Sequence, residues 1–164
     1  MAFIDVDEFL VIKDATVASL PKLLSEYTDY GALAAHWQGS TLAAYTGCFP
    51  EHDPENRHVK ALVNMDFVYQ IAGPHHFTYY EGKYAVNSAG EKVLGPVASR
   101  VITDRIVINH YVTKSLEDFQ RKMARGSGMR NRKDMTFFQR VQLMATQQCT
   151  YAVHLGEQLQ SPYK

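Results

Sequence analysis

Cysteine is scarce in this chain, with two in 164 residues. Cys48 and Cys149 stand far apart and outside any C-x-x-C spacing, which argues against a structural zinc site and makes no disulfide necessary. Neither sign of charge dominates. Lys plus Arg and Asp plus Glu number 17 each, so no overall field draws the chain to nucleic acid or to a membrane surface, and no nucleic-acid partner is expected. No apolar run approaches the roughly 20 residues that span a bilayer. The first ten residues carry three acids and no base, unlike a secretory signal. A cytoplasmic or membrane-peripheral location is the default. The chain also lacks a G-x-S-x-G elbow, a P-loop and a dinucleotide fingerprint.

What remains is ordinary globular material, 46% apolar and 21% charged. The length suits one domain with a real core, and residues 1–164 read as a single mixed α/β domain. Residues 2–5 read as a strand and Phe9–Ile12 as its continuation or a short second strand. Ser19 to Tyr27 reads as a short helix, with Ser19 as cap, Pro21 in the first turn and an apolar face of Leu20, Leu23, Leu24 and Tyr27. Ala32–Trp37 and His58–Val63 read as buried strands on either side of a loop at 46–57. Phe77–Tyr80 and Lys83–Val86 pattern as a hairpin across Glu81-Gly82. Arg105–Val112 is the clearest strand of the second half. An S-x-x-D capping box, Ser115 to Asp118, opens a helix to Arg125, and a last helix begins near Asp134 with Phe137, Val141 and Met144 inward.

The stretch richest in chemistry is Phe3-Ile-Asp5-Val-Asp7-Glu8. On a strand, Asp5 and Asp7 share a face, and two carboxylates on one face suit a hard divalent cation. Solvated acids at a strand end fit the same triplet. So does a phosphohydrolase of the haloacid-dehalogenase type, with Asp5 as nucleophile. The last reading is weakened because Glu8-Phe9-Leu10 follows where a small hydroxyl residue is wanted, and no Asp-Asp pair occurs. His110 shares a strand face with Ile106 and Ile108. It is either a core histidine or a ligand completing a metal site begun by Asp7. The basic run from Arg121 to Lys133, through Lys122, Arg125, Arg130 and Arg132, reads as a solvated helix end or as a phosphate-closing loop. His75 and His76 are adjacent, so on a strand they face opposite ways, one buried and one exposed. Trp37 is core or a sugar-stacking platform.

Several segments fall into one order: Phe3-Ile-Asp5-Val-Asp7-Glu8-Phe9-Leu10, Trp37-Gln-Gly39-Ser40, Arg57-His58-Val-Lys60, Pro74-His75-His76-Phe77, and Ile108-Asn109-His110-Tyr111-Val-Thr113-Lys114-Ser115. This series resembles the glycosyltransferases of the family-2-like and family-92 group, which have the GT-A fold. The resemblance covers most of residues 2–126. It implies a GT-A-like mixed sheet flanked by helices, and metal-dependent transfer of a sugar from a nucleotide-sugar donor to a glycan or similar acceptor. Asp5 and Asp7 match the family's D-x-D, which holds Mn²⁺ or Mg²⁺ and the donor, and His110 matches its late histidine, a further metal ligand. Asp5 and Lys114 fall on the donor side, and Trp37, Gly39 and Ser40 on the acceptor side. The resemblance assigns no catalytic base; Asp53, Glu55 and Glu117 are candidates.

The chain departs from the family in two places. Gln38-Gly39-Ser40-Thr41 is shorter than the family's run after the tryptophan. Almost nothing precedes Asp5, where a GT-A domain carries a nucleotide-binding βαβ half. The expectation is therefore a C-terminal portion of such an enzyme, weakly active or inactive alone, with a second copy or a partner chain covering the open sheet edge. An inactive remnant serving as a binding module is the alternative outside enzymology.

Overall fold

The computed structural model describes residues 1–41, 47–126 and 133–148. The elements in chain order are β1 (Glu8–Ile12), α1 (Leu20–Leu24), β2 (Ala32–Thr41), β3 (Gly47–Cys48), β4 (Val59–Val63), β5 (Val68–Ile71), β6 (Phe77–Tyr79), β7 (Ala85–Val86), β8 (Lys92–Val93), β9 (Ile106–Tyr111), α2 (Leu116–Arg125), α3 (Met135–Met144) and β10 (Gln147–Gln148). Short 3₁₀ turns lie at Ser25–Tyr27, Pro54–Arg57 and Met65–Phe67. The fold is mixed α/β with a mixed sheet. The chain forms two compact units, Met1–Gln38 with Glu51–Asn109, and Gly39–Pro50 with His110–Lys164. Among the described residues, no helix is long and apolar enough to cross a membrane.

In the first unit β9 lies between β1 and β2. β2 pairs antiparallel with β4, from Ala32 opposite Val63 to His36 opposite Val59. It also pairs parallel with β7, which pairs antiparallel with β8. The period-2 alternation of strands builds two cores, one on each sheet face. Ala32, Ala34, Val59, Ala61 and Val63 pack with Phe77, Val93 and Ala98 on one side. Leu33, Ala35, Leu62, Ile106 and Ile108 pack with Leu23 and Tyr27 on the other. Alanines dominate the sheet positions of the first core, where the aromatic residues Phe77 and Tyr79 fill the space. At Gly31 even a Cβ would lie 2.5 Å from the Tyr79 ring, so only glycine fits there.

The second core is held by the segment read as a helix. The Lys22 N–H donates to Ser19 Oγ at 3.4 Å, Pro21 sits in the first turn, and the last turn tightens into 3₁₀ geometry. Leu23 is fully buried, worth about 1.5–3 kcal/mol against leaving it in water.

Two expectations fail here. Residues 1–5 form no strand; a turn at Val6-Asp7 precedes β1. The Glu8 N–H donates to the Asp5 carbonyl at 2.9 Å, while the Asp5 N–H donates to Glu8 Oε2 at 2.8 Å. These reciprocal bonds close the chain on itself, a local alternative to the strand ladder that aspartate favours. The shared strand face of Asp5 and Asp7 is therefore lost. The second failure is the hairpin. The turn itself forms, with Glu81 at φ 57° and Gly82 at φ 68°. Its flanking strands diverge: β6 pairs with β5, and β7 joins β2 and β8.

In the second unit β3 pairs antiparallel with the end of β2 and with β10. Ser115 Oγ accepts the Asp118 N–H at 3.0 Å, the N-cap half of the capping box expected, and donates to the Asp118 carboxylate at 2.8 Å. Gly126, at φ 81°, ends α2. Asp134 caps α3 through the Phe137 N–H at 2.9 Å. Phe119 is buried against Phe137 and Phe138, with ring centroids 6.3 and 5.2 Å away, and joins α2 to α3.

Candidate functional site

β4 positions the centre of the site. Val59, Ala61 and Val63 point into the first core, so Lys60 points to the opposite face. Lys60 is the one charged residue in Val59-Lys-Ala-Leu-Val63, and it is buried. Burying an ammonium is costly unless it is paired. Its Nζ lies 2.9 Å from Asp5 Oδ2 and 3.2 Å from Glu8 Oε2. The backbone brings these acids within reach, because the Val63 N–H donates to the Met1 carbonyl at 2.6 Å and pins residue 1 along β4. The reciprocal turn then sets both carboxylates against one ammonium.

The three charges differ in their access to water. Lys60 and Glu8 are buried, whereas the Asp5 side chain is 66% exposed. Glu8 Oε2 accepts from the Asp5 amide and from Lys60, while Glu8 Oε1 is buried with no hydrogen-bond partner among the described residues. Asp7, the other member of the D-x-D, is buried.

A ring cluster adjoins this group. The Ala61 N–H donates to the His75 carbonyl at 3.2 Å, which lays residue 75 beside β4. His75 Nδ1 lies 3.0 Å from the Val59 carbonyl, so that nitrogen carries the hydrogen and Nε2 bears the lone pair of the neutral ring. Burial pushes the His75 pKa below its ordinary value; the bond to Val59 and the charge of Glu8 oppose the shift, and Lys60 adds to it. Trp37 stacks on His58 at 4.8 Å and meets His75 edge-on at 5.3 Å. One face of the indole is thus taken by His58.

A hard cation at the acidic turn would find one exposed carboxylate, that of Asp5. Two carboxylates that rely on substrate oxygens to complete the shell are a common seat for Mg²⁺ or Mn²⁺. Asp5 already faces a positive charge, that of Lys60. Among the described residues no three His, Cys, Asp or Glu side chains converge to hold a metal on their own.

The remaining candidates lie elsewhere. Asp53 caps the Pro54–Arg57 turn, accepting the Glu55 N–H at 2.9 Å. Glu55 is exposed and 3.8 Å from His58. Gly39, Ser40, His110, Lys114 and Glu117 belong to the second unit. A Cβ at Gly39 would lie 2.2 Å from the Phe49 ring, so its visible role is to admit that ring. Ser40 stands opposite Cys48 in the β2–β3 register. His110 is half-buried near the end of β9, not sealed in a core. Lys114 has φ 56°, a conformation uncommon for a side chain of its kind. Glu117 pairs with Arg121 at 2.5 Å on the exposed face of α2. Lys133 lies over the Phe137 ring at 4.5 Å. Arg130, Arg132 and Cys149 lie outside the described residues. His75 and His76 are both half-buried outside the strands, which corrects the expectation of one buried and one exposed.

Glu8 and Lys60 were given no role from sequence, and the signal for Lys60 was present: a lone cation inside an apolar strand must find an acid. A cavity of about 440 Å³ opens beside α1 between Pro21, Leu24, Leu33 and Asp66, and none of the acidic-turn residues lines it. No protein-family model matches the chain, and neither the curated proteins nor the solved structures contain a match.

Proposed function

We propose that the chain is a metal-dependent glycosyltransferase, or a portion of one, with a GT-A-like sheet, moving a sugar from a nucleotide-sugar donor to a glycan or similar acceptor. The observation that carries this reading is the meeting of segments far apart in sequence. Asp5 and Glu8, Trp37, His58 with Lys60, and His75 belong to four separate stretches of the glycosyltransferase-like series, and they share one neighbourhood in the first unit.

Breaking a sugar–diphosphate bond concentrates negative charge on the departing nucleotide. A bound Mn²⁺ or Mg²⁺ would supply the neutralising charge; the resemblance assigns it to Asp5 and Asp7, of which Asp5 is exposed and Asp7 is buried past the turn. Lys60 adds a fixed positive charge beside Asp5, in a buried setting where it acts more strongly than in water. The resemblance puts Trp37 on the acceptor side, where an indole suits the apolar face of a sugar ring. Removal of the acceptor proton needs a carboxylate. Asp53 is occupied as a cap and Glu117 by Arg121, so Glu55, exposed beside His58, is the preferred candidate.

The test is calorimetric titration of UDP and GDP with and without Mn²⁺, followed by assay of nucleotide-sugars with glycan acceptors. Metal-dependent nucleotide binding that Asp7→Asn abolishes, with sugar transfer, supports the reading. Hydrolysis of simple phosphoesters without nucleotide binding would replace it with the phosphohydrolase. Metal-independent glycan binding without transfer would replace it with a binding module.

A further inference from the structure

We propose that the cavity beside α1 binds a small organic amine, its apolar body among the leucines of the lining and its ammonium at Asp66. The proposal stands apart from the glycosyltransferase reading and uses none of the residues of the acidic turn.

Three observations carry it. The first is size and lining. The cavity measures about 440 Å³, inside the ~300–1,000 Å³ range of small-molecule sites. Pro21 and Leu24 line it from α1, the buried Leu33 and Leu62 from β2 and β4, and Phe67 from the turn after β4. Leu24 and Phe67 are only half-buried, so an apolar body seated there removes their remaining surface from water.

The second is that the surroundings are tied together. The Asn64 N–H donates to the Gly31 carbonyl at 2.9 Å, and its Nδ2 to the Thr28 carbonyl at 3.1 Å. Asn64 Oδ1 accepts the Asp66 N–H at 3.1 Å. These bonds join the chain after α1 to the turn at Met65–Phe67. Lys83 holds Phe67 in turn, with Nζ 4.4 Å from the ring centroid and donating to the Asp29 carbonyl at 2.9 Å. A cavity built in advance spares a ligand the cost of ordering its walls.

The third is charge. Ser25 donates to the Lys22 carbonyl at 2.7 Å and Tyr27 to the Ser88 carbonyl at 2.8 Å, so these hydroxyl hydrogens are spent on the protein. Asp66 is the one charged residue of the lining, it is exposed, and among the described residues its carboxylate has no ion-pair partner. An apolar cavity with a single free carboxylate favours a cation that carries an apolar body, and disfavours the matching anion.

The test titrates the wild-type chain with three probes of similar body, phenethylamine, phenethyl alcohol and phenylacetate, followed in ¹³C-methyl and ¹⁵N spectra. Phenethylamine should shift the methyls of Leu24, Leu33 and Leu62 and the amides of residues 64–67. It should bind about two- to fivefold more tightly than the alcohol, the scale of one exposed ion pair, with phenylacetate weakest. Asp66→Asn keeps the amide that Asn64 holds and should bring the amine down to the affinity of the alcohol. Equal affinity for the three probes in the wild-type chain overturns the proposal. So do shifts absent from these residues, or a preference for the amine that survives Asp66→Asn.

Discussion

Arg105 and Lys60 each gather two carboxylates within the first unit, and the two groups are finished differently. Arg105 Nε donates to Asp14 at 2.8 Å, and its Nη1 reaches both Glu26 at 2.7 Å and the Tyr27 hydroxyl at 3.0 Å. Tyr27 in turn donates to the Ser88 carbonyl at 2.8 Å. The Thr16 hydroxyl donates to Asp14 at 2.5 Å and the Thr16 amide at 3.0 Å. The Thr16 hydroxyl first, and then Arg105, bring the Asp14 carboxyl down to about 2. At Lys60 one carboxylate is mostly in water, and the other is buried with an oxygen left over. A satisfied network rigidifies what it joins, and here it ties the segment after β1 to the start of β9. A buried polar group left incomplete is costly, and among the described residues Lys60 is the one charge set against it.

The largest expected effect breaks the buried pair. Lys60→Met should cost about 3–5 kcal/mol, because Glu8 stays buried without a counter-charge. Urea unfolding measures this, and adding Glu8→Gln should recover most of the loss. A single variant as stable as wild type would mean that Glu8 sheds its charge or reaches water.

A smaller effect, of opposite character, concerns the Arg105 group. The folded Asp14 carboxyl titrates near 2 against an ordinary 3.8, so between those values the unfolded chain binds more protons than the folded one. The stability this contributes is complete above about pH 4 and is lost as pH falls through about 2. Arg105→Met should flatten this acid limb in part and Thr16→Val should flatten it further, since the Thr16 hydroxyl is the larger cause. Chemical denaturation across pH 2 to 6 reads the slope. An acid limb unchanged in both variants would remove the network from the account. Smallest of all is Glu117→Gln on α2. Its partner Arg121 is exposed, and the expected loss is about 0.3–0.5 kcal/mol. A loss several times larger would mark Glu117 as more than a surface acid.

The parts legible in the sequence are those governed by neighbours along the chain. Ser19, Ser115 and Asp134 cap their helices because a cap is a bond to an amide two or three residues on. Ala32–Trp37 read as a buried strand from its apolar run, and a strand's period of two then sets alternate residues on two faces. Residues 2–5 misled because four apolar-rich residues carry little strand signal against an aspartate turn closed by Glu8. The Glu81-Gly82 turn was readable, but turn chemistry does not choose the strand partner. Pairing with β5 and β2 is decided at longer range. The site divides the same way. Asp5 and Trp37 were singled out by type and position. The ammonium that engages Asp5 comes from a residue 55 positions away, and no local pattern reveals which acid a buried lysine will choose.

The contrast between the two clusters is tested most directly by where a metal ion goes. Wild-type protein labelled with ¹⁵N and titrated with substoichiometric Mn²⁺ should lose amide signals first at residues 5–8, then at Lys60 and His75, while the Asp14, Glu26 and Arg105 amides persist to higher concentration. Broadening centred on Asp14 and Glu26, or spread evenly over the exposed acids, would contradict the assignment of the acidic turn as the ligand site.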